Sequence, residues 1–245
     1  MSRGFRCKQF TVKQDNCAMK VNTDSMILGS WADPGNSTRI LDIGTGSGIL
    51  ALMMAQKSQS QAHVTAVELD SVACAQAGEN FADSPWAARM NVLSGDVAKL
   101  ALPEQFDCII SNPPYFASIN DTSNAYDSLT SSRAAARLEN SLLPQTLMDV
   151  VKRQLSDCGV FYCLYPIERE AHVTDVAKSA GLGLVARLSV SAVTNKMPYL
   201  VALKFTPLQM CTKNALSTTD LVIRDVAGEY TPAFRHLCQE FYLKF

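Results

Sequence analysis

The chain has no dominant charge. Lys and Arg total 22 against 23 Asp and Glu, for a net charge of −1. Bulk electrostatics therefore does not announce a nucleic-acid partner, and any such contact must come from local patches. No apolar run approaches the roughly 20 residues a membrane helix needs, and MSRGFRCKQF lacks the apolar stretch of a signal peptide. No membrane partner and a cytoplasmic location are the expectation. Clustered metal ligands are missing too. The eight cysteines (7, 17, 74, 108, 158, 163, 211 and 238) form no C-x-x-C pair, and His63, His172 and His236 lie far apart. No metal is expected, and the thiols read as reduced, mostly buried small hydrophobes. Repeats and low-complexity tracts are absent. With 245 residues, 47% apolar and 18% charged, the chain can build one sizeable core but not two comfortable domains.

What is present alternates short apolar runs with longer amphipathic ones. Arg39–Ile43, Val64–Leu69, Met90–Leu93, Phe106–Ser111 and Gly159–Tyr165 read as strands. Ser47–Lys57, Ser71–Ala82 (capped by Ser71 or Asp70), Leu142–Leu155 and Glu168–Ser179 read as helices. Such alternation implies an α/β fold, a mostly parallel sheet covered on both faces. Leu184–Val190 and Tyr199–Phe205 follow one another without a helix, implying an antiparallel pair at one edge. Residues 1–38 are expected to hold a small hairpin and a short helix near Asp24–Trp31. Residues 207–245 are expected to add a strand and a helix opened by Thr231-Pro232. Residues 1–245 are thus read as one domain, with a core at 39–206. The polar stretch 116–140 is long enough to be functional or disordered.

The first strand runs into Asp42-Ile43-Gly44-Thr45-Gly46-Ser47-Gly48, which opens a helix. Glycines allow a tight turn and the close approach of a ligand outside the strand's carboxyl end. No Gly-Lys-Ser/Thr follows, so a P-loop is disfavoured, while a dinucleotide dehydrogenase stays open on this half alone. Glu68 ends the second strand about twenty residues on, where a carboxylate can accept from ribose hydroxyls. Asp96, after Gly95 at the end of the third strand, can accept from an adenine amino group. Taken singly, each is equally well a helix cap or a turn carboxylate; in register at successive strand ends they point to a ligand.

Asn112-Pro113-Pro114-Tyr115 directly follows the fourth strand. Two prolines stiffen the corner and remove two backbone donors. The Asn112 side-chain oxygen and the Pro113 carbonyl remain as acceptors for the two hydrogens of a planar amino group, and Tyr115 offers a stacking face. An exocyclic adenine nitrogen is a poor nucleophile, so holding and aligning it answers the chemical difficulty of methylating it. The alternative, a rigid strand-ending turn, loses weight beside the glycine loop and both carboxylates.

These motifs, in order and spacing, resemble the class I methyltransferases in their amino-methylating branch. The resemblance implies a Rossmann-like, seven-stranded sheet with one antiparallel strand. It implies S-adenosylmethionine as donor, S-adenosylhomocysteine as product, and Asn112, Pro113, Pro114 and Tyr115 as the catalytic corner. Donor contacts are implied at Lys20, Thr23, Asp42, Gly44, Thr45, Gly46, Gly48, Glu68, Leu69, Asp96, Val97 and Asn112. Phe5-Arg6-Cys7-Lys8-Gln9-Phe10, Cys17-Ala18-Met19-Lys20-Val21, Thr23-Asp24, Leu28-Gly29-Ser30-Trp31, Ser84-Pro85-Trp86-Ala87, Leu221-Val222-Ile223-Arg224 and Phe241-Tyr242-Leu243 look like the bacterial tRNA adenine-N6 methyltransferases. That likeness implies adenine 37 of a valine tRNA as target, the anticodon loop as partner, and no obligatory protein partner. The basic N-terminal segment (Arg3, Arg6, Lys8, Lys13, Lys20), with Arg133 and Arg137, is available for loop phosphates or is solvated surface. Guanine-N2 or glutamine-amide methylation, or a silent RNA-binding module, remain the alternatives.

Overall fold

The computed structural model describes residues 4–17, 19–102, 105–114, 142–211 and 216–245. Tyr115, and the stretch 116–140 with Arg133 and Arg137, lie outside the described residues. In chain order the strands are β1 (Phe5–Arg6), β2 (Thr11–Val12), β3 (Arg39–Ile43), β4 (His63–Glu68), β5 (Met90–Ser94), β6 (Phe106–Ser111), β7 (Leu155–Pro166), β8 (Leu182–Val193), β9 (Leu200–Pro207) and β10 (Ser217–Arg224). The helices are α1 (Thr23–Trp31), α2 (Ile49–Lys57), α3 (Ser71–Ala82), α4 (Pro144–Gln154), α5 (Glu170–Ser179) and α6 (Pro232–Cys238).

β1 and β2 form a two-stranded hairpin; β3 to β10 form one sheet in the order β10-β8-β9-β7-β6-β3-β4-β5. In this sheet β9 runs antiparallel to both its neighbours, and every other pairing is parallel. β3 sits inside the sheet, between β6 and β4, and its apolar side chains are buried on both faces, as a doubly covered parallel strand requires. The sheet has eight strands where seven were expected. β10 pairs in parallel with β8, so the antiparallel pair is set in from the edge. The first half of β10 is polar and exposed, and only Leu221 and Ile223 are buried. It therefore carries little of the alternation that marks a strand.

Two apolar layers cover the sheet. Met26, Leu28, Leu52, Met53, Phe81, Phe234 and Phe241 pack on one face, with Trp31 and Trp86 partly buried against them. Leu147, Met148, Val151, Val173 and Ala177 pack on the other. The chain's two ends meet on the first face: Cys7 bridges Tyr242, and Lys8 Nζ donates to the Gln239 carbonyl at 2.5 Å. Thr231 caps α6 by accepting from the Phe234 N–H, as its sequence signature implied.

Both ends of α1 are held. The Asn22 side chain accepts from the Ser25 N–H at its start. At its end, Lys57 Nζ donates to the Ser30 carbonyl at 2.7 Å and to the Ala32 carbonyl. A cation there meets the negative end of the helix and the carbonyls that helix geometry leaves unpaired. Burial pushes the Lys57 pKa down. Lys57→Met would leave those carbonyls without a donor, and we expect a loss of about 1–3 kcal/mol in urea unfolding. An unchanged transition midpoint would show that α1 does not depend on this contact.

Candidate active site

The strand order reverses at β3. The chain moves from β3 outward to β4 and β5, then crosses to β6 on β3's other side. Crevices form at the carboxyl ends of strands where such a reversal occurs. Here a cleft of about 1000 Å³ opens there, lined by Gly44 and Gly46, Glu68 and Leu69, Asp96 and Val97, and Asn112, Pro113 and Pro114. Cys17, Met19, Leu142, Leu143 and Thr146 complete its walls. A smaller recess of about 60 Å³ lies between Lys20, Asn22 and Ser25 on one side and Gly44, Thr45 and Gly46 on the other; Asn112 borders both.

The glycine loop has a clear backbone logic. Gly44, Gly46 and Gly48 take φ of 70°, 56° and 88°, the left-handed region open to glycine. Gly48 also faces Phe81, whose Cε1 would lie 2.6 Å from an added Cβ. Because a left-handed residue cannot continue a helix, α2 begins at Ile49 rather than Ser47. The loop is tied to the sheet by the Gly44 and Thr45 N–H groups, which donate to the Val67 carbonyl at 2.9 and 3.1 Å.

The three carboxylates have different roles. Asp42 is fully buried behind the loop. Its Oδ2 accepts from Thr45 Oγ1 at 2.5 Å and from the Ala51 N–H at 3.0 Å. Burial pushes its carboxyl up to about 7, against the pull of those two hydrogen bonds. Glu68 accepts from the Gly46 N–H at 2.8 Å through Oε2 and from the Asp70 N–H at 3.0 Å through Oε1. Asp70, rather than Ser71, caps α3. Asp96 accepts from the Ala98 N–H and pairs with Lys99 at 3.1 Å. The Ala98 N–H, then Lys99, hold its carboxyl below the usual range.

The expected donor-binding residues divide by place. Gly44, Gly46, Glu68, Leu69, Asp96, Val97 and Asn112 meet at the cleft, while Lys20 and Thr45 meet at the recess. Asp42 and Gly48 shape the loop from behind. Thr23 opens α1 outside the walls of both cavities. Asn22 and Ser25 were not anticipated as site residues; the sequence shows a polar residue three positions before a serine, which is legible as a helix cap and not as a wall. Leu142, Leu143 and Thr146 enter the cleft only because α4 packs against the sheet. Among the described residues there is no group of three metal-ligating side chains, and no helix is long and apolar enough to cross a membrane.

A doubly covered parallel sheet with one reversed strand, a glycine loop after the strand at which its order reverses and acidic residues at the next two strand ends defines a Rossmann-like methyltransferase. Residues 16–154 match the family described as "Methyltransferase small domain". The tRNA1(Val) (adenine(37)-N6)-methyltransferase of Pseudoalteromonas atlantica is 36% identical over 99% of both chains. That of Escherichia coli O157:H7 is 39% identical over 98% of this chain and 95% of its own. The chain belongs to this tRNA1(Val) (adenine(37)-N6)-methyltransferase family. Its fold also matches a crystal structure of a predicted O-methyltransferase from Agrobacterium tumefaciens, with TM-score 0.66, 19% identity, and coverage of 89% of this chain and 96% of that one.

Asp42 makes stability depend on pH. Its carboxyl titrates near 7 when folded against an ordinary value of 3.8. Between those values the native state binds the extra proton, so this contribution to stability falls as pH rises and is lost above about 7. Asp42→Asn keeps an acceptor for Thr45 and Ala51 without the titration. In urea unfolding we expect the wild type to lose stability relative to Asp42→Asn between about pH 4 and about pH 7, with parallel behaviour above that. Parallel pH dependences across the whole range would refute the assignment.

Proposed function

We propose that the protein transfers a methyl group from S-adenosylmethionine to the exocyclic N6 of adenine in tRNA, at position 37 beside the anticodon of tRNA1(Val). The observation that carries this reading is the placement of Asn112 at the junction of the cleft and the recess, next to the glycine loop. Full-length similarity to relatives bearing that activity in their names supports it.

The residues present fit this donor. No atom lies within 4 Å of where a Cβ would stand on Gly44 or Gly46, so the loop offers bare backbone to a ligand. Glu68 would accept from the ribose hydroxyls, Asp96 from the adenine amino group, and Val97 and Leu69 would flank the base. Lys20 borders the recess, where it would meet the carboxylate of the amino-acid end. When bound, the donor supplies an electrophilic methyl on a sulfonium.

The chain's own work is to hold and align the substrate nitrogen. Pro113 and Pro114 have no N–H, so the corner presents acceptors. The Asn112 Oδ1 and the Pro113 carbonyl take the two amino hydrogens, and Tyr115 supplies the stacking face. Fixing the nitrogen in line lowers the entropic part of the barrier, and the oxygens stabilise the positive charge that develops on it. The resulting ammonium sheds its proton readily, so no dedicated strong base is needed. An anticodon-loop base is not in a duplex, so turning it into the cleft costs little. We place the protein in the cytoplasm and read residues 1–245 as one working domain, joined at its ends through Lys8 and the 239–245 segment.

Two variants separate the roles. Asn112→Ala is expected to lower turnover on tRNA about a thousandfold, with donor affinity changed only a few-fold. Glu68→Ala is expected to weaken donor binding about tenfold. Nucleoside mass analysis of the tRNA product gives the identity of the modified base. Label appearing in ribosomal RNA or protein instead of tRNA would replace this reading with a guanine-N2 or glutamine-amide one.

A further inference from the structure

A side-chain amide has an accepting oxygen on one branch and a donating NH2 on the other. For a substrate amino group, which of the two faces the cleft decides whether Asn112 holds it or repels it. The polarity of the hydrogen bonds through Asn22 and Ser25 bears on that choice. The Ser25 backbone N–H lies 2.9 Å from Asn22 Oδ1. A backbone N–H can only donate, so the Asn22 atom it faces is the oxygen. Ser25 Oγ lies 2.9 Å from the same oxygen and gives it the hydroxyl's single proton. With that proton committed, Oγ has only lone pairs to offer Asn112, 3.4 Å away, and the atom it faces there is Nδ2. Asn112 Oδ1 is thereby assigned to the opposite branch of the amide.

We propose that Ser25 and Asn22 are positioning residues that set the polarity of the Asn112 amide for an amino substrate. The proposal rests on the reading of Asn112 given above. Asn22 and Ser25 both border the recess, as Asn112 does, and the Ser25 side chain is buried. A flipped Asn112 amide would bring its oxygen against the Ser25 lone pairs. At 3.4 Å the contact is long, so its effect comes from disfavouring the wrong orientation more than from the strength of one bond. The relay gives α1 a chemical role: its first turn tells the corner after β6 which way to turn its oxygen.

The test compares full-length wild type, Ser25→Ala and Ser25→Thr for methyl transfer to tRNA at saturating donor, for donor affinity by calorimetry, and for melting temperature. Ser25→Ala keeps the backbone N–H that Asn22 caps. It is expected to lower kcat about tenfold with donor affinity changed at most about twofold and melting temperature unchanged, and Ser25→Thr, which keeps the hydroxyl, to restore most of it. Wild-type kcat in Ser25→Ala would overturn the proposal, as would a loss that Ser25→Thr fails to restore. If Ser25→Ala does not fold, the wild type decides alone. With 15N labelling, the Asn112 side-chain amide proton facing Ser25 should resonate downfield of the position that proton takes in a free asparagine amide, and both protons at free-amide positions would sink the relay. That measurement needs no substrate. A shifted proton in a protein that does not methylate tRNA would therefore remove the functional reading and leave the relay standing.

Discussion

The parallel register of β3 against β6 governs the geometry of the site. Ile43 lies opposite Ser111, and Ser111 Oγ donates to the Ile43 carbonyl at 2.8 Å. Paired strands run about 4.8 Å apart, so the next residue on each, Gly44 and Asn112, leaves the sheet beside the other. One segment carries the cradle and the other the acceptor corner. A register slip of one residue would turn every side chain on β6 to the opposite face. The buried Cys108 and Ile110 on one layer, and Ile109 on the other, hold the register against that slip.

Around this junction the structure is braced from behind. Asp42 spends both its hydrogen bonds on the loop and the first turn of α2, without reaching the cleft. Glu68 reaches across from β4 to the Gly46 N–H, so a residue that lines the cleft also orders the loop. The same economy appears in α1, whose capping asparagine and first buried serine tie the helix start to Asn112, while Lys57 ties its end to α2. The extensions at the chain's two ends close over that layer, so the helix that borders the recess is itself held by the hairpin and the last helix.

Much of the core was legible because its signals are local. The glycine loop, Glu68 and Asp96 at successive strand ends, and the proline corner after β6 all declare themselves within a few residues of a strand boundary. Helix starts were legible where a side chain caps them, as Asp70 and Thr231 do. They were misplaced where backbone handedness decides, as at Gly48. β10 was harder to place, because an edge strand with an exposed polar half loses the alternation that burial imposes. Thr23 and Asn22 lie next to each other in sequence, yet Asn22 borders the recess and Thr23 does not; the chain turns from extended at Asn22 to helical at Thr23, and that backbone change, not residue type, made the division.

Residue identity alone made certain groups available: carbonyl acceptors at 112–114 with no backbone N–H on the two prolines, bare backbone at 44 and 46, carboxylates at 68 and 96. These follow from covalent structure and from short-range steric rules, which need no partner. Folding settled which of those groups meet, that α4 supplies a wall, that Asp42 stands behind the site, and that the first turn of α1 comes against Asn112. Those outcomes depend on sheet register and on packing between distant residues, such as Ile43 with Ser111 and Ser25 with Asn112, 87 positions apart, and no local pattern encodes them.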